Sequence, residues 1–452
     1  MDINAVFENS ATVYEGSQLA TRSELALFDV PQTDVSTLFS SDYVQHFPLH
    51  SVKDNFNPLE FVLSTGTTGY MDLSSSFLLV SCKVVQANGQ STLGTHEVAP
   101  SNLFAHAMFS GLEVYLNNVL VFDSNNNYAM TAYIQRLLSS SESDKSNRLR
   151  AEFWWPNDEV NKFTKTENDA GFMKRFTLTT SSKTFTMLTH LVANIFTQPR
   201  WFPSETEVRI VLRRSQPRFC LDSETTDTTG TCPCRYDITR AVFYTARKVV
   251  SPFIIENHRK MLNANNTMKY PTVETQVKSF AIASGLSSTI LDSVVIGKIP
   301  KLIILGLVAS DAYNGKLASS AFNFEHNNLS DVSVTWNGDT MEHRSIPMSF
   351  SKTGSTTEDD YLVALQTLNK TVAISALSNG INVENFPKGN TLIAIELLPN
   401  SGDSLSVNRR GQVRLSLKFR EALPSAVTAI VYCQYQSIIE IDKNLNVIFE
   451  KK

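Results

Sequence analysis

Apolar and polar side chains alternate with a period of two along much of this 452-residue chain. In 207–214, Val208, Ile210 and Leu212 fall on one side and Glu207, Arg209 and Arg213 on the other, with Val211 the exception. The stretch 412–419 is cleaner, with Val413, Leu415, Leu417 and Phe419 on one face. Successive strand residues point to opposite faces, so such runs predict antiparallel strands with one face on a core and one on solvent or a partner. Further strands are predicted near 76–85, 184–196, 238–250, 276–283, 301–308, 391–398 and 427–441. Helical spacing is scarcer. Met130, Tyr133, Ile134, Leu137 and Leu138 make a stripe over 128–140, and Tyr361, Leu362, Leu365 and Leu368 make another over 358–369. Glu358, Asp359 and Asp360 stand where the second helix would begin, an end that favours negative charge. The pattern is all-β, with a few short helices in crossovers.

One segment recurs at an offset of 220 residues. Phe104 matches Phe324, His106 matches His326, Ser110 matches Ser330, Val114 matches Val334, and Asn117-Asn118 matches Asn337-Gly338. Each copy reads as an alternating strand running into a two-residue turn, followed by a short Tyr-bearing amphipathic helix. Asn-Gly favours a type I′ hairpin because both central residues need positive φ; Asn-Asn tolerates the same geometry less well. Asn117, Asn118, Asn337 and Gly338 are therefore the predicted hairpin turns. The repeat implies a duplicated β-sandwich. The turn-rich, hydroxyl-rich stretch 215–236 suggests where the copies meet. The expected organisation is an N-terminal arm over 1–40, a first sandwich over 41–218, a linker over 219–236, and a second sandwich with a C-terminal tail over 237–452.

The length suits two all-β domains of about 200 residues each. The chain is 42% hydrophobic and 19% charged, and it is rich in phenylalanine, with 27. The formal charge is −4, and residues 1 to 60 carry nine acidic side chains against Arg22 and Lys53. That balance predicts no strong direct binding of nucleic acid, which releases counterions through basic side chains. Five cysteines at irregular spacing and an N-terminus unlike a signal peptide predict synthesis in a reducing compartment, the host cytoplasm or nucleus, without secretion. The most apolar run, 302–309, is far short of the roughly 20 residues that span a bilayer, so no membrane span is predicted.

Signals for chemistry are thin. Cys232-Pro-Cys234 has neither the spacing nor the second pair of a zinc site. Gly66-Thr-Thr-Gly69 lacks the Lys-Ser/Thr of a phosphate loop and leads into a strand. Glu325-His326 and Glu342-His343 have no nucleophile motif beside them. Asn265, Asn328 and Asn369 fit the glycosylation pattern but lack a signal peptide to use it. No catalytic residue, cofactor site or metal site is predicted. Two kinds of feature remain as contact candidates. One is the basic cluster Arg209, Arg213, Arg214 and Arg218. The other is the pair of aromatic-Pro clusters, Trp154-Trp155-Pro156 and Arg200-Trp201-Phe202-Pro203.

Near its end the chain reads Tyr435-Gln-Ser-Ile-Ile-Glu-Ile-Asp-Lys-Asn-Leu-Asn-Val447. This run resembles the closing segment of the double jelly-roll major capsid proteins of Polinton/Maverick-type virus-like elements, of the PRD1–adenovirus structural lineage. Earlier blocks resemble the same family in the same order. They are His46-Phe-Pro-Leu-His-Ser-Val-Lys-Asp54, Pro58-Leu-Glu-Phe61, Gly69-Tyr-Met-Asp-Leu-Ser-Ser-Ser-Phe-Leu-Leu-Val80, Pro100-Ser-Asn-Leu-Phe-Ala-His106 with Val114-Tyr-Leu-Asn117, Phe386-Pro-Lys-Gly-Asn-Thr-Leu392 and Arg420-Glu-Ala-Leu-Pro424. Met71 departs from the Ile or Leu usual in the third block. The arm 1–40 and the stretch 215–236 carry no matching motif.

The resemblance implies two tandem jelly rolls per subunit and pseudo-hexameric homotrimers that tile an icosahedral shell. The implied partners are neighbouring capsomers and minor or penton capsid proteins, and the implied location is the virion. Two other readings make different demands. A minor or vertex capsid protein is usually built on one jelly roll. A carbohydrate-binding or glycan-processing sandwich needs exposed aromatics and, for catalysis, a carboxylate pair around one cleft; the fold by itself permits either.

Overall fold

The computed structural model describes residues 27–28, 30, 33–53, 57–64, 69–92, 97–157, 161, 163, 170–224, 233–337, 342–350, 361–372, 379–399 and 405–449. The first strands are β1 (Thr37–His46), β2 (Leu59–Leu63), β3 (Gly69–Gln86), β4 (Phe109–Leu116), β5 (Val119–Asp123), β6 (Phe185–Thr189), β7 (Val208–Arg214) and β8 (Cys234–Val250). They form two 4-stranded antiparallel sheets, ordered β1-β8-β3-β6 and β2-β7-β4-β5. The second set is β9 (Met268–Ile282), β10 (Ser288–Lys298), β11 (Leu302–Ala309), β12 (Leu329–Asn337), β13 (Glu342–Pro347), β14 (Leu392–Glu396), β15 (Arg410–Phe419) and β16 (Val427–Ile441). Its sheets run β9-β16-β11-β14, with a short strand Val447–Phe449 beside β16, and β10-β15-β12-β13.

The second order is the first with every strand advanced by eight. Eight strands in two such sheets make a jelly roll, so the chain holds two in tandem. β4 and β12 begin at Phe109 and Leu329, 220 positions apart, which is the offset of the sequence repeat.

The alternation becomes burial. Val208, Ile210 and Leu212 of β7 are buried, as are Val413, Leu415, Leu417 and Phe419 of β15. β11 and the first part of β16, residues 427–433, are buried on both faces; one face lines a sandwich core, and on the other Ile134 and Leu138 of the first jelly roll approach Ile304 and Tyr432. Gly306 of β11 leaves room for a neighbour: a Cβ there would stand 2.6 Å from Phe324 Cδ1 and 2.9 Å from Leu392 Cδ2. The longer helices are α1 (Tyr128–Ser139), α2 (Ala170–Thr179), α3 (Pro252–Asn263) and α4 (Leu362–Val372). One apolar core runs from Leu59 through to Ile441 and joins both sandwiches.

Several expectations need correction. β8 begins at Cys234, inside the stretch 219–236 expected to be a linker, and pairs with β3 from Cys234–Gln86 to Val249–Gly69 in the first sandwich. The chain crosses to the second sandwich through α3. The run 184–196 is strand only over Phe185–Thr189 and ends in a helical turn, Asn194–Thr197. β10 went unpredicted because its register shifts between Leu291 and Val295, where Ser293 has φ 57°. That bulge breaks the period-two pattern. α3 carries no buried residue, so it has no core stripe to read.

Candidate functional site: buried polar networks, exposed edges and an apolar cleft

The most polar cluster in the interior is closed to substrate. His106 shares hydrogen bonds with the Tyr128 hydroxyl (2.9 Å), the Thr189 hydroxyl (2.8 Å) and the Glu152 carboxylate (3.2 Å). Arg136 grips Glu152 through Nε and Nη2, both at 2.9 Å, and donates to the His190 carbonyl at 2.8 Å. Burial pushes the Glu152 carboxyl up, but the Arg136 guanidinium, the hydrogen bond to His106 and the charge of Arg148 together outweigh it and hold the pKa at about 2. Burial depresses His106, so its neutral form is favoured. His106 and Glu152 are both buried, leaving no approach to either. The network ties α1, β6 and the 148–152 turn together. Arg175 does the same for α2: it donates to Pro100 O at 2.7 Å and pairs with Asp222 at 3.0 Å.

Most of the other sequence candidates lie within the described residues. Asn117 and Asn118 have φ of 45° and 64°, and the Leu116–Val119 pair flanks them. Asn117 also donates to Leu445 O at 2.8 Å and accepts from Glu207 N at 2.8 Å, so the turn holds β7 and the C-terminal segment. Asn337 ends β12, whose last Cα pair with β13 is Trp336–Glu342; Gly338 lies outside the described residues. Two members of the basic cluster are met by carboxylates across the strands, and Arg214 donates to Val52 O at 2.8 Å. Arg209 pairs with Glu60 at 3.0 Å and lies 4.3 Å from the Tyr115 ring; Arg213 pairs with Glu113. Burial raises the Glu325 carboxyl, opposed by a hydrogen bond from Asn323, and His326 stacks on Phe350 at 4.3 Å. The side chains of Glu342 and His343 lie outside the described residues, as does Cys232. Cys234 is buried at the start of β8. No group of three or more His, Cys, Asp or Glu fit for a metal occurs among the described residues.

The aromatic-Pro clusters lie at the seam between the jelly rolls. Phe202 stacks on Tyr270 of β9 at 4.2 Å, and Arg200 donates to Lys269 O. Trp154 stacks on Tyr133 of α1 at 5.4 Å, and Tyr133 stacks in turn on Phe322 at 4.4 Å. Tyr313 donates to Asn127 at 2.8 Å across the same seam.

Two surface features escaped the sequence reading. The first is exposed apolar side chains at sheet edges. Tyr43, Phe47 and Leu49 lie on and just after β1 of the first jelly roll. Ile290, Ile296 (74%), Leu405 and Val407 (79%) lie along β10 and the approach to β15 in the second. The second is a cleft of about 500 Å³ beneath α3, whose walls include Tyr70, Trp201, Ile254, Met261, Leu262 and Met268. Tyr70 and His258 hold the helix in place through a 2.9 Å hydrogen bond. These residues lie far apart in sequence, so no local motif marks them.

The fold has known counterparts. No protein-family profile matches the chain. An uncharacterised protein of Caenorhabditis elegans is 24% identical over 404 residues, 87% of this chain and 93% of its own length. Among solved structures, a chain of the Sputnik virophage is similar, with a TM-score of 0.61 and 12% identity, over 98% of this chain and 94% of that one. A chain of the PBCV-1 virus capsid gives 0.58 and 10%, over 94% and 99%. The mavirus major capsid protein gives 0.54 and 11%, over 97% and 96%. The double jelly roll read from strand order is thus shared, almost end to end, with viral capsid structures. Among the described residues, no helix is long and apolar enough to cross a membrane.

Proposed function

We propose that this chain is a major capsid protein whose copies form threefold rings that tile an icosahedral shell. The observation that carries the proposal is the duplicated strand order, β1-β8-β3-β6 repeated as β9-β16-β11-β14 and β2-β7-β4-β5 repeated as β10-β15-β12-β13. Two like sandwiches per chain let three chains approximate sixfold packing. The apolar edges support the same reading. Tyr43 and Phe47 belong to one sandwich, Ile296 and Val407 to the other. Two different patches in one chain suit a head-to-tail contact, which closes into a ring when the rotation allows. The polar interior serves to brace loops, so the role is structural and uses no cofactor.

The jelly rolls divide at α3, with residues 37–250 in the first and 268–449 in the second. Two rolls per chain favour the major shell protein over a single-roll vertex protein. Neighbouring rings and minor or penton proteins are the partners this role requires, and the virion is its location. Electron microscopy of the purified chain tests the reading. Particles with a hexagonal outline and six density lobes support it; single two-lobed particles at all concentrations contradict it.

A further inference from the structure

We propose that the apolar N-terminal segment ending at Val35 inserts into the α3–Trp201 cleft of a second copy of the chain, interlocking subunits. This goes beyond shell formation, but it rests on that reading in needing copies to meet. The segment reads Leu25-Ala-Leu-Phe-Asp-Val30-Pro-Gln-Thr-Asp-Val35. Phe28 is 98% exposed and Val30 89%, and Leu27 and Val35 are exposed as well. Apolar side chains held in water and an open apolar cleft are two surfaces that gain by meeting, at roughly 25 cal/mol per Å² of apolar area covered.

Three observations identify the occupant. The first is position: Ser36 lies on the cleft wall, where its carbonyl accepts from Ser251 N at 2.9 Å. Leu27, Phe28, Val30 and Val35 are exposed and are not among the walls of their own chain's cleft, which leaves it open to the segment of a second copy. Eight residues from Ser36 back to Phe28 span up to about 28 Å when extended, enough to reach a neighbour. The second is charge. The segment carries Asp29 and Asp34, and Arg22 is the sole basic residue before Ser36. The cleft presents Arg200 and Lys269. The charges close by are paired with one another, Lys248 with Asp72 at 3.7 Å and Arg259 with Glu205 at 3.6 Å. The third is the helix. α3 has no buried residue; Phe253 and Met261 are exposed, and Ile254, Met261 and Leu262 line the cleft, leaving apolar surface there to be covered.

Full-length chains test this by cysteine crosslinking. Cys82, Cys220, Cys234 and Cys433 are buried; Cys232→Ser removes the remaining thiol. In that background, chains carrying Phe28→Cys are mixed with chains carrying Met261→Cys and oxidised. Both sites are exposed, so the substitutions spare the core. The expected result is an interchain product at about 100 kDa in the mixture alone, twice the 50.4 kDa chain. Trp201→Ala is expected to cut its yield about tenfold, the scale of losing an aromatic anchor. No interchain product while light scattering still shows assembly overturns the interlock and leaves the capsid reading standing. A product confined to single chains in the Phe28→Cys/Met261→Cys double variant also overturns it, by showing that each arm fills its own cleft. A monomer by light scattering overturns the capsid reading and the interlock together.

Discussion

Glu152 shows what a buried charge does in this molecule. It is held ionised by Arg136 and touches a neutral His106, in a pocket that also contains Tyr128 and Thr189. Removing one partner of such a pair leaves the other charge buried and alone. Glu152→Ala is therefore expected to cost about 3–5 kcal/mol, read by urea unfolding. The same pocket sets a pH dependence. The folded pKa of Glu152, about 2, is below its ordinary 4.5, and that of His106 is below its ordinary 6.5. For both groups the unfolded chain binds protons first on acidification. Their contribution is full above pH 6.5 and is lost as pH falls, through His106 first and then through Glu152 between 4.5 and about 2. Thermal melts from pH 7.5 to 4 are expected to show falling stability, and His106→Gln to flatten the part between 6.5 and 5. Gly306→Ala is expected to destabilise by about 1–3 kcal/mol, since its methyl would meet Phe324 and Leu392 in a filled core. At this scale the alternating faces were legible because burial sorts them: Val208, Ile210 and Leu212 inside, Arg209 and Arg213 across from carboxylates. The His106 network was not legible, because its partners come from positions 128, 136, 152 and 189 and no spacing rule connects them.

Strands and helices differ in how openly the sequence declares them. β7, β15 and β16 were readable because each has a continuous apolar face. β10 was not, since the bulge at Ser293 moves its apolar residues from one face to the other. α3 hid for the opposite reason, its apolar side chains having no core to face. The stretch 219–236 looked like an interdomain linker because turn residues report a local reversal. They do not report which sheet the next strand joins, and Cys234–Val250 returns to β3. Edge elements carry the assembly prediction. Ile296→Lys and Val407→Lys alter exposed positions, so their effect on chain stability is expected to stay within about 0.5 kcal/mol. Their effect on association is expected to be large, shifting the assembled mass toward the single chain in sedimentation velocity. Equal assembly by wild type and the double variant excludes that edge from the contact.

Across the whole molecule, the two jelly rolls share one apolar core that is continuous through the seam. Phe202 on Tyr270 and Tyr133 on Phe322 are stacked contacts between halves; the sequence placed Phe202 in an aromatic-Pro cluster and Tyr133 on a helix stripe, with no sign of either partner. Phe202→Ala is expected to cost about 3–5 kcal/mol and to split a single unfolding transition into two, seen by calorimetry. The duplication itself was legible from a few matched residues, such as Phe104 with Phe324 and His106 with His326, since both segments enter equivalent strands. The measurement that bears most directly on the capsid role is absolute mass in solution by light scattering, across a range of concentrations. Three chains of 50.4 kDa give about 150 kDa, and a plateau at that mass is the expected result. A mass that stays near 50 kDa at every concentration contradicts the ring, and with it the role proposed for this chain.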